Sequence, residues 1–463
     1  MIAVAELALA IPAERLREFV LSQRLFGSKS GDVAEVNVLD APQVSPQPPL
    51  LALAVVEVRF QSGTHELYNV PLGFRPAGEG WRDGVVGEAD GWTAYDALAD
   101  PELARELLRL IAERRTLGSE GAEVDFCIVE GADERLPAAQ RVRPMGAEQS
   151  NSSLVFDDAG VLKLYRRLDA GVNPELELLR FLTAREFPQI AALDGWIARS
   201  GQPLDATLAI LQAYVAGESD GWSLALAALR DDPDSFVPRA RRLGEVTGAL
   251  HTTLASEPHD PSFSPEEPTS ETVALLIATI DESIETTFLS LPADAALEPI
   301  AGRGEEIRER LRLVGPSVPG GRLIRHHGDY HLGQVLIAPE GFVILDFEGE
   351  PARSLVERRR KRSPLRDVAG MLRSFSYAAS AIEVERREAP PPDWEARVRQ
   401  EFLEGYFATT EAAILPAPDA RERLLTLFEL EKAVYELRYE LGHRPEWVPI
   451  PVRAIVSLLE QPL

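Results

Sequence analysis

Apolar positions along this chain follow two spacings, and each predicts a different kind of element. Pro12–Leu25 reads as a helix, and Pro42–Pro49, with four prolines, reads as a surface loop. Leu51–Phe60 and Glu66–Leu72 read as strands around the turn Ser62-Gly63-Thr64, so residues 1 to about 95 are expected to form a small, mostly β unit. Asp96–Arg115 reads as a helix with Asp100-Pro101-Glu102 as its start. Ser153–Phe156 and Val161–Tyr165 flank Asp157-Asp158-Ala159-Gly160, a hairpin signal. Asn173, as N-cap, and Pro174, at the first helical position, open a helix through Thr183, and Ala206–Tyr214 reads as a strand. From about residue 215 the pattern is mainly helical, with Ser256–Pro268 and Ala389–Pro392 as Pro-rich loops. The exception is a hairpin, Gln334–Ala338 and Phe342–Phe347, joined by Pro339-Glu340-Gly341. Near the C-terminus, Glu429–Glu440 has helical periodicity. Leu430, Val434 and Leu437 form its apolar stripe, Glu431, Tyr435 and Arg438 share a neighbouring face, and His443–Trp447 ends it.

At 463 residues the chain has room for two to four subdomains with real cores. A net charge of −26 repels phosphate backbones and anionic lipid, so neither nucleic acid nor membrane is an expected partner. A neutral substrate fits, and ATP can still bind with Mg²⁺ at a locally basic site. Cys127 is the only cysteine, which excludes an intrachain disulfide and points to a reducing compartment. Met1–Pro12 is apolar but lacks a basic leader, and Leu50–Val56 is too short to span a bilayer, so a cytoplasmic location is expected. Lysine is confined to Lys29, Lys163, Lys361 and Lys432, among many arginines. Lysine is the compact charge suited to gripping phosphate, so each one invites a functional question.

The densest chemistry lies in His326–Leu336, followed by Ile344–Glu348. Phosphoryl transfer needs a carboxylate to take the proton of the attacking hydroxyl, and an amide and a second carboxylate to hold Mg²⁺ on the nucleotide phosphates. Asp329, Gln334 and Asp346 supply those groups in that order, and the hairpin brings Gln334 close to Asp346. Glu348 would point to the same side as Asp346 if the strand continued, as a further ligand. Zinc at His326, His327 and His331 is the competing reading, but no cysteine or suitably spaced histidine accompanies them. Lys163 sits inside an apolar strand and needs an anionic partner, for which Glu177 on the next helix is the candidate. The polar loop Glu148–Ser153 can offer N–H and hydroxyl groups to phosphates through Ser150, Asn151 and Ser152. The basic run Arg353 to Arg362 reads as a solvated helix face.

These segments together resemble bacterial maltokinases, within the aminoglycoside phosphotransferase and eukaryotic-like kinase superfamily. The resemblance rests on EQSNSSLVF (148–156), LKLYRR (162–167), NPELEL (173–178), HGDYHLGQVL (327–336), ILDFEGEP (344–351), SPLRDVAGMLRSFSYA (363–378) and Lys432–Pro451. It implies an α+β, bilobal protein-kinase-like fold: a cap at 1–95, an intermediate part completing a β-rich nucleotide-binding N-lobe at 96–214, and a mainly helical C-lobe at 215–463. It implies ATP- and Mg²⁺-dependent conversion of maltose to maltose 1-phosphate for α-glucan synthesis, by a monomer. By the same resemblance Lys163 and Glu177 form the nucleotide pair, and Gln212 and Tyr214 belong to the hinge at adenine. Asp329 is the base, and Gln334 and Asp346 hold the metal. His331, Lys432, Tyr435, Glu436, Tyr439 and Trp447 are the sugar-site candidates. Two other readings stay open. One is the same transfer to glucosamine, another amino sugar, an aminoglycoside or another disaccharide. The other is a catalytically silent kinase-fold module that binds trehalose synthase or another glycogen enzyme.

Overall fold

The computed structural model describes residues 4–22, 32–119, 121–146, 151–314, 321–386 and 390–460. They form two compact units, Met1–Thr183 with Ala191–Ala216, and Ala184–Ile190 with Gly217–Leu463. The expected parts 1–95 and 96–214 thus fall in the first unit, apart from residues 184–190.

Two antiparallel sheets build the first unit. Helices α1 (Val4–Leu9) and α2 (Ala13–Ser22) precede β1 (Val33–Asp40), β2 (Gln43–Ser45), β3 (Leu50–Phe60), β4 (His65–Pro76), β5 (Val85–Ala89) and β6 (Trp92–Asp96). The spatial order is β1-β3-β4-β6-β5, with β2 also on β3. Strand β3 is apolar from Leu50 to Val56, where both its faces are covered. Ala52, Ala54, Val56 and Val58 join a core with α1 and α2, and Leu51, Leu53 and Val55 join a second core on the other face. That second core also holds Leu107 and Ile111 of α3 (Pro101–Ala112), and Phe126, Phe156 and Leu164 of the second sheet.

The helix expected from Asp96 starts only at Pro101. Asp100 caps it by accepting the Glu102 N–H at 2.9 Å, and a short 3₁₀ turn fills the interval. The second sheet contains β7 (Thr116–Ser119), β8 (Ala122–Ile128), β9 (Val142–Pro144), β10 (Asn151–Phe156) and β11 (Gly160–Tyr165). After β12 (Arg167–Leu168), which pairs with β4, and α4 (Pro174–Ala184), it gains β13 (Leu193–Gly201) and β14 (Ala206–Ala213). Its order is β7-β8-β13-β14-β11-β10-β9. The sequence pattern hid β13 because Asp194 and Arg199 interrupt it. Both are buried and paired, Asp194 with Arg135 at 2.8 Å and Arg199 with Asp40 at 2.5 Å.

The second unit is mainly helical. Its small sheet, β15-β16-β17, consists of Ser219–Asp220, Val335–Ala338 and Gly341–Ile344. The helices are α5 (Gly221–Asp231), α6 (Val237–Leu254), α7 (Ser270–Leu289), α8 (Gly304–Val314), α9 (Leu355–Arg358), α10 (Leu365–Arg386), α11 (Trp394–Thr409), α12 (Pro418–His443) and α13 (Pro449–Glu460). Helices α6 and α11 cross with backbones nearly touching. A Cβ on Gly244 would collide with the Phe402 carbonyl oxygen, and one on Gly405 with that of Arg241. Leu430, Val434 and Leu437 are buried on α12, as their spacing predicts. Among the described residues no helix is long and apolar enough to cross a membrane.

Candidate active site

The expected hairpin exists, but it is shorter than its sequence reading. Val335 pairs with Ile344, so Gln334 and Asp346 lie just past the ladder. There the Gln334 Nε2 donates to Asp346 Oδ2 at 3.0 Å. Asp346 has φ +64°, a left-handed conformation that costs a non-glycine residue on the order of 1 kcal/mol or more. The strand therefore does not continue, yet a carboxylate oxygen of Glu348 still lies within 4.8 Å of one of Asp346, so the turn and not strand alternation places Glu348 where it can share an ion with Asp346. Glu348 follows in a half-buried turn, and its carbonyl accepts from Arg358. The side chains of Asp346 and Gln334 offer hard oxygen donors side by side, a set that fits Mg²⁺ and not a soft metal.

Asp329 is held by its loop's backbone and side chains. His327 Nε2 donates to the Leu345 carbonyl at 2.8 Å, and its Nδ1 accepts the Asp329 N–H at 3.3 Å. Both ring nitrogens are thereby used, which removes His327 from any zinc site. His331 Nδ1 accepts the Gly333 N–H and caps the Leu332–Gln334 turn that presents the amide. Its Nε2 stands 4.0 Å from Asp329 Oδ2.

Beneath the loop, the buried Asp367 of α10 accepts the N–H groups of His327 at 2.7 Å and Gly328 at 2.9 Å, and bonds His251 Nε2 at 3.2 Å. Gly328 adopts φ +87°, the turn that lets these two N–H groups share one carboxylate. Burial opposes the Asp367 charge, but His326 and His251 more than offset it and hold the carboxyl below its ordinary range. No role for Asp367 was read from the sequence. Its signal is a lone carboxylate in the otherwise apolar run Asp367–Leu372.

An open cleft of about 410 Å³ borders Asp329, lined among others by Glu350, Arg353, Arg366, Glu431, Lys432 and Tyr435. Lys432 Nζ lies 3.0 Å from Asp329 Oδ1, 3.4 Å from Glu350 Oε1 and 4.8 Å from the Tyr435 ring centre. Burial opposes the ammonium charge, but Asp329 and Glu350 raise its pKa above the ordinary lysine value. Burial would likewise raise the pKa of Glu350, yet Lys432 and Arg353 pull it down to about 2. Glu431 accepts from Arg366 at 2.6 Å and Arg353 at 3.4 Å.

Of the sugar-site candidates, Lys432 and Tyr435 line this cleft, and His331 stands beside Asp329. Glu436, Tyr439 and Trp447 belong to neighbouring contacts. Glu436 accepts from Arg373 at 2.7 Å, Tyr439 stacks on His443, and Trp447 stacks on Tyr377, which donates to Glu440 at 2.8 Å. Sequence reasoning left Glu350, Arg353 and Arg366 without a place in the site. Each lies a few residues from an assigned group, in a loop or helix whose path spacing alone does not fix.

The first unit carries its own constellation. Lys163 on β11 donates to Glu175 Oε2 at 2.8 Å, and the Tyr165 hydroxyl donates to the same oxygen at 2.8 Å. The carboxylate on Lys163 is therefore that of Glu175, two positions earlier than expected, which corrects the Glu177 pairing. Asn173 Oδ1 accepts the Glu175 N–H at 2.8 Å, so the cap fixes the first turn of α4 with Glu175 against the sheet. Both partners are buried, and breaking such a pair costs about 3–5 kcal/mol.

Asn151 and Ser152 lie on β10, opposite Tyr165 and Leu164, and Ser152 Oγ accepts from Arg166 at 2.9 Å. Ser150 lies outside the described residues. Gln212 pairs with Val161 at the end of β14. The Tyr214 N–H donates to the Ala159 carbonyl at 2.8 Å, and the Arg143 guanidinium sits 5.7 Å over the Tyr214 ring.

Known proteins resemble this chain. A glucosamine kinase of Streptacidiphilus jiangxiensis is 27% identical over 415 residues, 83% of this chain and 90% of that protein. Another, from Mycolicibacterium smegmatis, is 26% identical over 70% of this chain and 81% of its own. A solved structure of a glucosamine kinase in complex with glucosamine, ADP and inorganic phosphate matches 95% of this chain and 98% of its own, with TM-score 0.69 and 22% identity. A second crystal form of a glucosamine kinase covers 99% of this chain at TM-score 0.73 and 22% identity. These structures establish a kinase-like fold, with a β-rich N-terminal region and a helical C-terminal part. The family model for a maltokinase N-terminal cap domain matches residues 19–100. The model for the phosphotransferase enzyme family matches residues 141–413, more than half of the sequence, and spans Lys163, Asp329, Gln334 and Asp346. The chain belongs to the phosphotransferase enzyme family.

Proposed function

We propose that this protein transfers the γ-phosphoryl group of ATP to a hydroxyl of a neutral sugar, with maltose as acceptor and maltose 1-phosphate and ADP as products. Asp329 takes the proton of the attacking hydroxyl as its oxygen bonds to phosphorus and the bond to ADP breaks. Lys163, oriented by Glu175, grips the nucleotide phosphates. Mg²⁺ held by Gln334 and Asp346 would neutralise charge on the phosphates. His327 and Asp367 hold the loop so that Asp329 keeps its aim.

One observation carries the choice of a neutral acceptor. Each carboxylate around the cleft already has a partner: Asp329 and Glu350 on Lys432, and Glu431 on Arg366. Hydroxyl groups can join such pairs by hydrogen bonding, whereas an ammonium group meets the repulsion of the resident cations. The match to a maltokinase cap domain supports maltose within that class. A second reading, transfer to an amino sugar, draws on the relatives named glucosamine kinase.

The test is ADP release from ATP and Mg²⁺ with maltose, glucose, trehalose, glucosamine or kanamycin, with Asp329→Ala as control. Turnover on maltose that the variant abolishes is the expected result. Turnover on glucosamine in place of maltose would discard the acceptor and keep the catalytic roles. Silence on all five would overturn the reading.

A further inference from the structure

Two residues of the Asp329 cleft, Arg366 and Phe428, also line a second, open pocket within the same unit, whose empty space of about 610 Å³ includes solvent at its mouth. Its walls are apolar: Val273, Leu276 and Ile277 come from α7, and Leu424, Leu427 and Phe428 from α12. Its polar lining comes chiefly from Lys361–Arg366 and from Thr272 in the first turn of α7.

The cations of that segment are unequally satisfied. Lys361 Nζ is held by Glu266 at 2.6 Å and by the Pro261 carbonyl at 2.7 Å. Arg366 gives one nitrogen to Glu431, but its Nη1 is buried with no hydrogen-bond partner among the described residues. Arg362 has neither an ion pair nor a side-chain hydrogen bond among the described residues; Arg366 and Arg353 act on it as like charges, and Glu431 only partly opposes them. Burial first, and these guanidinium groups second, push its pKa down to about 10. A half-buried cation crowded by like charges is unfavourable until an anion joins it. The N-terminus of the 20-residue α7 adds partial positive charge at Thr272.

We propose that this cavity binds a small organic carboxylate with an apolar acyl or aryl body. Its carboxylate engages Arg362, and its body lies between α7 and α12. A carboxylate matches the planar fork of a guanidinium, whereas a neutral amide of the same shape does not. The walls bring mainly apolar side chains to the body, which disfavours a polyol such as the sugar acceptor. The proposal does not rest on the acceptor assigned above, since binding is read without turnover.

The test uses the full chain with saturating ATP and Mg²⁺, and the fluorescence of 1-anilinonaphthalene-8-sulfonate as probe. The expected result is displacement by 4-phenylbutanoate and not by 4-phenylbutanamide. Arg362→Gln should weaken 4-phenylbutanoate by roughly tenfold or more. Leu276→Glu, which sets a like charge in the apolar wall, should abolish its binding, with circular dichroism confirming that each variant is folded. Equal displacement by acid and amide would overturn the proposal. So would an unchanged affinity in Arg362→Gln, no displaceable signal in the wild type, or loss of the signal when ATP and Mg²⁺ are added.

Discussion

The Glu350→Gln variant isolates the electrostatics of the Asp329 cleft. Glu350 is 8% exposed and is held by Lys432 at 3.4 Å and by Arg353. Burial would raise its pKa, but the two cations bring it from 4.5 down to about 2. A carboxylate depressed in the folded state stabilises the fold above its unfolded pKa. It loses that contribution as pH falls toward the folded value. A depression of this size is worth about 3 kcal/mol at neutral pH. Linkage then removes about 0.8 kcal/mol of it by pH 4 and about 1.4 kcal/mol by pH 3.5. Glutamine keeps the shape and one acceptor but cannot ionise. Urea unfolding of both proteins at pH 7, 4 and 3.5, at constant ionic strength, gives the comparison. The variant is expected to be less stable by about 3 kcal/mol at pH 7, with the gap narrowed by about 1.4 kcal/mol at pH 3.5. A gap that stayed constant across this range, or widened in acid, would refute the reasoning.

Three further outcomes are expected. Glu175→Gln should lower kcat/KM for ATP by roughly tenfold or more, and Glu177→Gln should have a clearly smaller effect; steady-state kinetics in the reverse order would restore the pairing suggested by sequence spacing. Asp367→Asn should cost on the order of 3 kcal/mol in a urea melt and reduce kcat by about 100-fold through loss of aim at Asp329, with KM for ATP little changed; a wild-type kcat would show that the loop does not depend on this anchor. Gly405→Val should destabilise the second unit by about 3 kcal/mol or more, because its side chain has nowhere to go at the α6–α11 crossing, and an unchanged urea midpoint would disprove that close approach.

The elements most legible in the sequence were those whose signals are local. The Asp157–Gly160 turn, the Asn173-Pro174 helix start and the hairpin at Pro339–Gly341 depend on residues adjacent in the chain, and each lies close to where the sequence put it. Strand β13 was missed because its polar residues are satisfied by distant partners, such as Asp40 for Arg199. The exchange of Glu177 for Glu175 has a similar origin. Positions two apart on a helix differ by about 200° around its axis, so the phase set by the first turn decides which carboxylate meets the strand. Asp367 was missed for the opposite reason. It serves backbone N–H groups nearly forty positions upstream, and no spacing rule within α10 marks that use.

Net charge and local charge separate at the Asp329 cleft. A formal −26 suggests a molecule that welcomes cations. Around the cleft, however, Asp329, Glu350 and Glu431 are matched by Lys432, Arg353 and Arg366, and Asp367 is committed to two N–H groups and His251. At about 3 Å, and with an effective dielectric constant near 20, one such pair is worth roughly 5 kcal/mol of Coulomb energy before desolvation. An ammonium-bearing acceptor entering here would meet the repulsion of Lys432 and the arginines already at these carboxylates. A neutral disaccharide meets no such penalty, because its hydroxyls can donate to the carboxylates while the resident pairs stay intact. On the proposed function, the acceptor preference turns on Lys432. Lys432→Met would leave Asp329 and Glu350 without their shared cation, and should shift activity from neutral toward cationic sugars. A ratio of maltose to glucosamine turnover that stayed the same in that variant would show that charge pairing does not set the choice.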